Sequence, residues 1–224
     1  MRLCALVFIG MLVAGEFAGE TTAGDGAVRA LDEGDARRES QLVGYSVTEH
    51  YTLVVHRLSQ TAEMTVETVY RRGQGKTFHV DSRSGSSTLQ SRVFDRLLSE
   101  EGEMSRGEGR RHTLVNSENY GARLTGEAEV AGRQCYVLEL TPRVKSTHLL
   151  QGRAWIDQAD GSLIRIEGRP GASPSFLTGR PMISREYERV GDFWLARVSR
   201  SVTESLVFGK TDLSIEYRDY RILE

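Results

Sequence analysis

The fold of this chain is constrained most by a period-two alternation of apolar and polar residues, which is clearest across residues 133–170. At the start of this segment Tyr136, Leu138 and Leu140 share one parity. Successive side chains of a β-strand point to opposite faces of a sheet, so the pattern predicts a strand with two different faces. Two further alternating runs flank Gly161, a residue that can adopt the left-handed backbone of a short hairpin loop. The segment therefore predicts antiparallel strands with one buried face.

Similar alternation recurs along most of the remaining chain and predicts further strands. These runs cover residues 44–58, 61–70, 76–81, 121–130, 182–190, 194–202 and 206–220. The first three follow one another closely and are expected to form a meander. In the last run the apolar parity changes after Tyr217. We therefore expect a β-bulge near Arg218 and Asp219, as found where a sheet curves into a barrel.

Two segments have the composition or the spacing of helices. Residues 27–43 are rich in helix-forming residues, although Gly34 lowers their helix propensity. Residues 88–104 carry an apolar stripe at helical spacing: Leu89, Val93, Leu97 and Met104, with Phe94 and Leu98 beside them. Ser87 is the expected N-cap, and Gln90 is placed to complete a capping box. This second helix is expected to lie on the apolar face of the sheet.

The first 24 residues have the organisation of a secretory signal peptide. A basic start precedes an apolar run at residues 3–14, and small residues follow up to Gly15 and Gly24. We expect cleavage near residue 15 or residue 24, which leaves residues 25–224 as a single soluble domain. The apolar run is too short to span a bilayer. The alternative interpretation is a buried N-terminal helix.

The charge balance argues against nucleic acid as a partner. Without Arg2, Glu16 and Glu20, the 29 basic and 31 acidic residues become 28 and 29, whereas phosphate recognition needs a basic excess. The same processing would leave Cys135 as the sole cysteine, so no intramolecular disulfide could form. As the small residue of an apolar strand, Cys135 is expected to be structural.

The sequence contains no recognisable catalytic or metal-binding motif, so we predict no enzymatic activity, no cofactor and no metal site. His50 and His56 share a strand parity, but extended chain would separate them by roughly 20 Å, too far for one metal ion. Glu127 and Glu129 would lie roughly 6–7 Å apart on one strand face, which suits a glycosidase, although charged residues are also expected on a solvated face. A curved sheet covered by helices can enclose a cavity for apolar ligands, or its own core can fill that space.

Three segments resemble the LolA-like outer-membrane lipoprotein-sorting proteins: YVLELTP at residues 136–142, GRAWIDQADGSLIRIEGRP at 152–170 and REYERVGDFWLARVSRSV at 185–202. The resemblance implies a mainly β (α+β) fold, a half-open antiparallel β-barrel with a helical lid. It also implies a periplasmic carrier that shelters acyl chains of lipoproteins or lipids and exchanges them with inner- and outer-membrane transfer partners. Similar folds serve as envelope-stress sensors, which is the main alternative. A secreted hydrolase is the less favoured one.

The predicted cargo site is the apolar face of the strands, with the second helix as its cover. The candidate wall residues are Met64, Val66, Leu138, Leu140, Ile156, Ile164, Ile166, Leu213 and Ile215, and the candidate lid residues are Val93 and Leu97. Parity within one strand shows which residues share a face, but not which face is concave. Each candidate is therefore expected either to line a cavity or to pack beneath the lid.

Overall fold

The structure, a computed structural model, describes residues 17–172, 179–205 and 209–224, with side chains from residue 24 onward. The described ranges contain ten strands: β1 (Gly44–Val55), β2 (Gln60–Arg71), β3 (Gly75–Gly85), β4 (Tyr120–Val130), β5 (Arg133–Pro142), β6 (Leu150–Asp157), β7 (Leu163–Pro170), β8 (Met182–Val190), β9 (Phe193–Ser205) and β10 (Gly209–Leu223). They also contain four α-helices: α1 (Phe17–Gln41), α2 (Ser87–Leu89), α3 (Asp95–Met104) and α4 (Gly107–Arg111). A π-helical segment, Gln90–Phe94, joins α2 to α3, and we call this continuous unit, residues 87–104, the lid helix.

The described strands form one antiparallel sheet in the order β3-β2-β1-β10-β9-β8-β7-β6-β5-β4. Strands β1 to β3 form the predicted meander, and the pairing of β1 with β10 joins it to a longer meander that runs from β4 to β10. Strands β3 and β4 are the two edges, so the sheet is curved but not closed. The lid helix and α4 lie in the connection between these edges. The predicted mainly β, half-open architecture is confirmed.

The predicted N-terminal helix is confirmed, and α1 begins earlier than expected, at Phe17. Ala27 and Leu31 are buried on one side of α1 and pack on the half of the sheet formed by β4 to β7. A Cβ atom at Gly34 would lie 2.1 Å from the carbonyl oxygen of Gly161, so this glycine allows α1 to approach the β6–β7 loop. Residues 1–16 of the predicted signal peptide lie outside the described residues, and its cleavage stays a prediction.

The lid helix covers the other half of the sheet, as its apolar stripe predicts. Phe94 is fully buried and packs in one cluster with residues of β1 and β2. The predicted N-cap is wrong by one residue, because the Ser86 hydroxyl accepts the Leu89 N–H at 3.5 Å. No capping box forms. The buried Gln90 amide instead donates to the carbonyl oxygens of Glu63 and Ser84, at 2.8 and 2.6 Å, since a buried amide needs partners of its own.

The bulge predicted from the change of parity in the last strand is confirmed. Ser46 pairs with Arg221, whereas Thr48 pairs with Arg218, so β10 holds an extra residue between these pairs. Asp219 lies in this bulge with a left-handed φ of 58°. Register shifts also interrupt the pairing of β2 with β3, β4 with β5, β6 with β7 and β8 with β9. Bulges bend strands and increase their twist, so they curve the sheet around the helices.

Candidate functional site

A cavity of about 500 Å³ lies between the concave face of the sheet and the helices α1, α3 and α4. Many of its lining residues are aliphatic or aromatic: Leu31, Leu42, Tyr45, Tyr70, Leu97, Met104, Ile183, Tyr187, Phe193, Trp194, Leu195, Ala196, Ile215, Tyr217 and Tyr220. This volume falls within the range of roughly 300–1,000 Å³ that small-molecule sites occupy. The alternative expectation is that side chains of the core fill all the space on the sheet. The cavity shows that they leave space between α1 and the lid helix.

Two of the predicted site residues line this cavity, Ile215 on β10 and Leu97 on the lid helix. Most of the others are packed beneath a helix: Met64 and Val66 under the lid helix, and Leu138, Leu140, Ile156 and Ile166 under α1. Leu213 and Val93 are half-buried beside the cluster under the lid helix. A ligand would reach these packed residues only if a helix moved away, so their role in binding stays a prediction.

The structure does not bring Ile164 together with the other candidates. It packs on the opposite face of the sheet, against Cys135 and Trp155. The register of β6 and β7 shifts here because Trp155 pairs with Arg165, whereas the next residue of β6 pairs with Leu163. Ile164 is the extra residue of this bulge, which turns its side chain outward. Leu163 lines the cavity in its place.

A buried ionic network lies at one side of the cavity, between β1, β3 and the lid helix. The Lys76 ammonium is 2.5 Å from a Glu101 carboxylate oxygen and 3.5 Å from a Glu49 carboxylate oxygen. Glu49 is fully buried and also accepts a hydrogen bond from the Tyr51 hydroxyl at 2.5 Å. Burial raises the pKa of Glu49 against the opposing charge of Lys76. Burial also acts to raise the pKa of Glu101, but the Lys76 charge and hydrogen bond bring the net shift downward.

A second polar contact joins the helices at the rim of the cavity. Arg110 on α4 donates to both carboxylate oxygens of Glu39 on α1. The Arg110 guanidinium also lies over the Tyr70 ring, 5.7 Å from its centroid. This contact therefore links α1 to α4, which are far apart in the sequence, at the cavity rim.

A further charged side chain, Arg185 on β8, lines the floor of the cavity. Its Nε atom lies 3.5 Å from the Ser199 hydroxyl, and the Tyr187 side chain is close by. The alternation within residues 182–190 did not single out Arg185, because its position depends on long-range strand register. By contrast, Tyr217 shares its parity with Ile215, and this signal could have placed it at the site.

The site combines a largely apolar lining with charged groups at its sides and one, Arg185, on its floor, which suits an amphipathic ligand. Among the residues that the structure describes, no group of three or more His, Cys, Asp or Glu side chains could hold a metal ion. Glu127 and Glu129 are exposed on β4 and do not line the cavity. Within the described part of the chain, no helix is both long enough and apolar enough to cross a membrane.

Comparison with known proteins identifies the fold. No protein-family model and no curated protein matches this chain. A domain from Vibrio parahaemolyticus, described as an outer membrane lipoprotein-sorting protein domain, is similar to 91% of this chain over 94% of its own, with 16% identity and a TM-score of 0.50. A LolA superfamily protein from Nitrosomonas europaea matches 90% of this chain over 94% of its own, with 11% identity and a TM-score of 0.48.

A third similar structure is the MucA/MucB complex of Pseudomonas aeruginosa, which matches 89% of this chain over 99% of its own, with 14% identity and a TM-score of 0.27. At this TM-score the likeness carries no weight for function. The match to the Vibrio parahaemolyticus domain, at 16% identity, bears on the fold alone. This chain therefore has the half-open, LolA-like β-barrel fold that its sequence motifs predict.

Proposed function

We propose that this protein binds the acyl chains of a lipid or lipoprotein in the cavity and carries them across the periplasm. The observation that carries this proposal is the cavity of about 500 Å³ between α1 and the lid helix, with its aliphatic and aromatic lining. Burying apolar surface is favourable by roughly 25 cal/mol per Å², so such a lining stabilises a bound acyl chain. Periplasmic location and removal of the signal peptide are parts of the same proposal.

The fold supports this proposal in a coarser way. The Vibrio parahaemolyticus domain that shares the fold is described as a lipoprotein-sorting protein domain, and the same role is proposed here. The arrangement of helices also suits a carrier, because α1 and the lid helix cover opposite halves of one sheet and leave the cavity between them. A transfer partner at the inner membrane would supply the cargo, and one at the outer membrane would receive it.

A substitution that fills the cavity tests acyl binding without changing its charge. Ala196 on β9 lines the cavity, and its neighbour Arg197 lies on the outer face, 49% exposed. Ala196→Trp should weaken binding of the fluorescent fatty acid cis-parinaric acid about tenfold or more, because the indole occupies the space of the chain. Arg197→Trp, the matched control, should leave affinity unchanged. Circular dichroism of both variants checks that they are folded.

Three results would contradict the carrier proposal. The first is equal affinity of Ala196→Trp and Arg197→Trp for cis-parinaric acid, and the second is no binding by the parent protein. The third is stoichiometric capture of one regulatory protein from an envelope extract with no lipid, which would favour the envelope-stress sensor instead. Hydrolysis of an ester or glycoside that a point substitution abolishes would favour a secreted hydrolase.

A further inference from the structure

Arg185 occupies the middle of a row of residues that crosses the concave face of the sheet. In register order, six members of this row are Ala154, Ile166, Arg185, Ser199, Ile215 and Tyr51. The residues on either side of Arg185 and Ser199 belong to the two packed clusters beneath α1 and the lid helix. Arg185 and Ser199 therefore interrupt an apolar row between the two packed clusters.

The guanidinium of Arg185 has few partners for its hydrogen-bonding capacity. An arginine carries five N–H donors and stays protonated in proteins. The Nε atom of Arg185 donates a long hydrogen bond, 3.5 Å, to the Ser199 hydroxyl, and the Tyr187 side chain is close by. In the part of the chain that the structure describes, no carboxylate oxygen lies within 4.0 Å of an Arg185 guanidinium nitrogen, so Arg185 forms no ion pair there. The nearby Lys76, by contrast, pairs with two carboxylates.

The neighbouring carboxylates do not account for this position. Glu101 is near enough to Arg185 for its charge to be felt, but its hydrogen bond goes to Lys76 at 2.5 Å. Glu49 is held by Lys76 and by the Tyr51 hydroxyl. Arg185 is half-buried and lines the cavity, where water is partly excluded and a charge gains from an opposite partner. Its guanidinium therefore has donors left to bind an anion that enters the cavity.

We propose that Arg185 binds the carboxylate or phosphate group of an anionic lipid whose acyl chain occupies the cavity. The planar guanidinium matches both groups, because it can donate two parallel hydrogen bonds to their oxygens. Ile215 and Leu97 line the same cavity and would contact the chain of that lipid. This inference rests on the proposed function and deepens it, since it assigns the cargo a free anionic head group.

Three ligands with the same alkyl chain test the inference on the full chain: palmitic acid, hexadecyl phosphate and hexadecanol. Each is titrated by displacement of cis-parinaric acid from the parent, Arg185→Gln, Arg185→Lys and Arg200→Gln. Arg200 is the matched control, because it lies on the neighbouring strand β9 but on the outer face, 53% exposed. The parent should bind at least one anion about tenfold to a hundredfold more tightly than hexadecanol, as expected for hydrogen bonds to a charged group.

Arg185→Gln should remove this preference while hexadecanol still binds, Arg185→Lys should restore part of it, and Arg200→Gln should behave as the parent. Hexadecanol binding by Arg185→Gln also shows that the variant has kept its cavity. Preference for palmitic acid alone identifies a fatty acid, and preference for hexadecyl phosphate alone identifies a phospholipid head group. Equal binding of all three ligands by the parent would overturn the inference and leave acyl binding intact. Failure of all three to bind would overturn the proposed function.

Discussion

A single methyl group added to α1 should move the helix away from the sheet. At Gly34 the added Cβ would lie 2.1 Å from the carbonyl oxygen and 2.5 Å from the carbonyl carbon of Gly161. Ordinary contacts are longer than 3.0 Å, so α1 or the β6–β7 loop must shift by about 1 Å. The loop is backbone held to α1 by the Arg37 guanidinium, which donates to the Asp160 carbonyl at 3.0 Å, so it cannot simply turn aside.

The net cost of Gly34→Ala follows from two opposing effects. Overpacking of a closely packed contact costs about 1–3 kcal/mol, whereas alanine in a helix gains about 0.5–1 kcal/mol over glycine. We expect Gly34→Ala to lower the free energy of unfolding by up to about 2.5 kcal/mol, which corresponds to a fall in Tm of up to about 10 °C. Because Gly34 lines the cavity, affinity for cis-parinaric acid should fall as well.

The matched control lies in the same helix. A Cβ at Gly26 would have no neighbour within 4 Å, so Gly26→Ala keeps the helix-forming gain without the clash. It should raise the free energy of unfolding by up to about 1 kcal/mol. Urea unfolding followed by circular dichroism measures both changes. If Gly34→Ala proves as stable as Gly26→Ala, the close approach of α1 to the β6–β7 loop is refuted.

Two further predictions concern a half-buried carboxylate and a buried thiol. The pKa of Glu101 is lowered in the folded state, so its contribution to stability is complete above the unfolded pKa of about 4.3 and is lost as the pH falls through the folded pKa. Glu101→Gln should therefore lower the free energy of unfolding by about 1–3 kcal/mol at neutral pH, and its difference from the parent should narrow in acid. The control Glu100→Gln changes a side chain that is 43% exposed and should lower it by less than about 0.5 kcal/mol. A difference that does not change with pH would contradict the lowered pKa of Glu101. Burial raises the pKa of Cys135 to about 11, so the native thiol should not react with iodoacetamide at neutral pH. After unfolding in urea it should be alkylated, and mass spectrometry of its peptide measures both states.

The strands and the curvature of the sheet were predictable because alternation is a local signal. The bulge at Asp219 could be read from the sequence, since it moves the apolar residues of β10 to the other parity. The bulge at Ile164 could not, because an apolar cluster lies on each face of the sheet there and no parity changes. The N-cap was ambiguous for a different reason: Ser86 and Ser87 are adjacent and both suit a helix start.

The candidate site was predictable only in part, because a cavity is where packing stops rather than where apolar residues accumulate. The sequence identifies residues such as Leu138 and Met64 as members of an apolar strand face, and the structure shows that a helix covers each of them. Whether Ile215 or Arg185 reaches the cavity depends on where α1 and the lid helix lie on the sheet, and on the register of β8 to β10. These are long-range features that residue alternation within one strand does not contain.

The most direct test of acyl binding is to locate a bound chain by photo-crosslinking. The full chain is incubated with palmitic acid that carries a diazirine at the end of its chain, irradiated and digested, and the modified residues are mapped by mass spectrometry. We predict adducts at cavity residues such as Ile215, Tyr217 and Leu97, which excess unlabelled palmitic acid suppresses. Adducts confined to outer-face residues such as Arg200 and Arg197, or adducts that excess palmitic acid does not suppress, would show that the cavity does not hold an acyl chain.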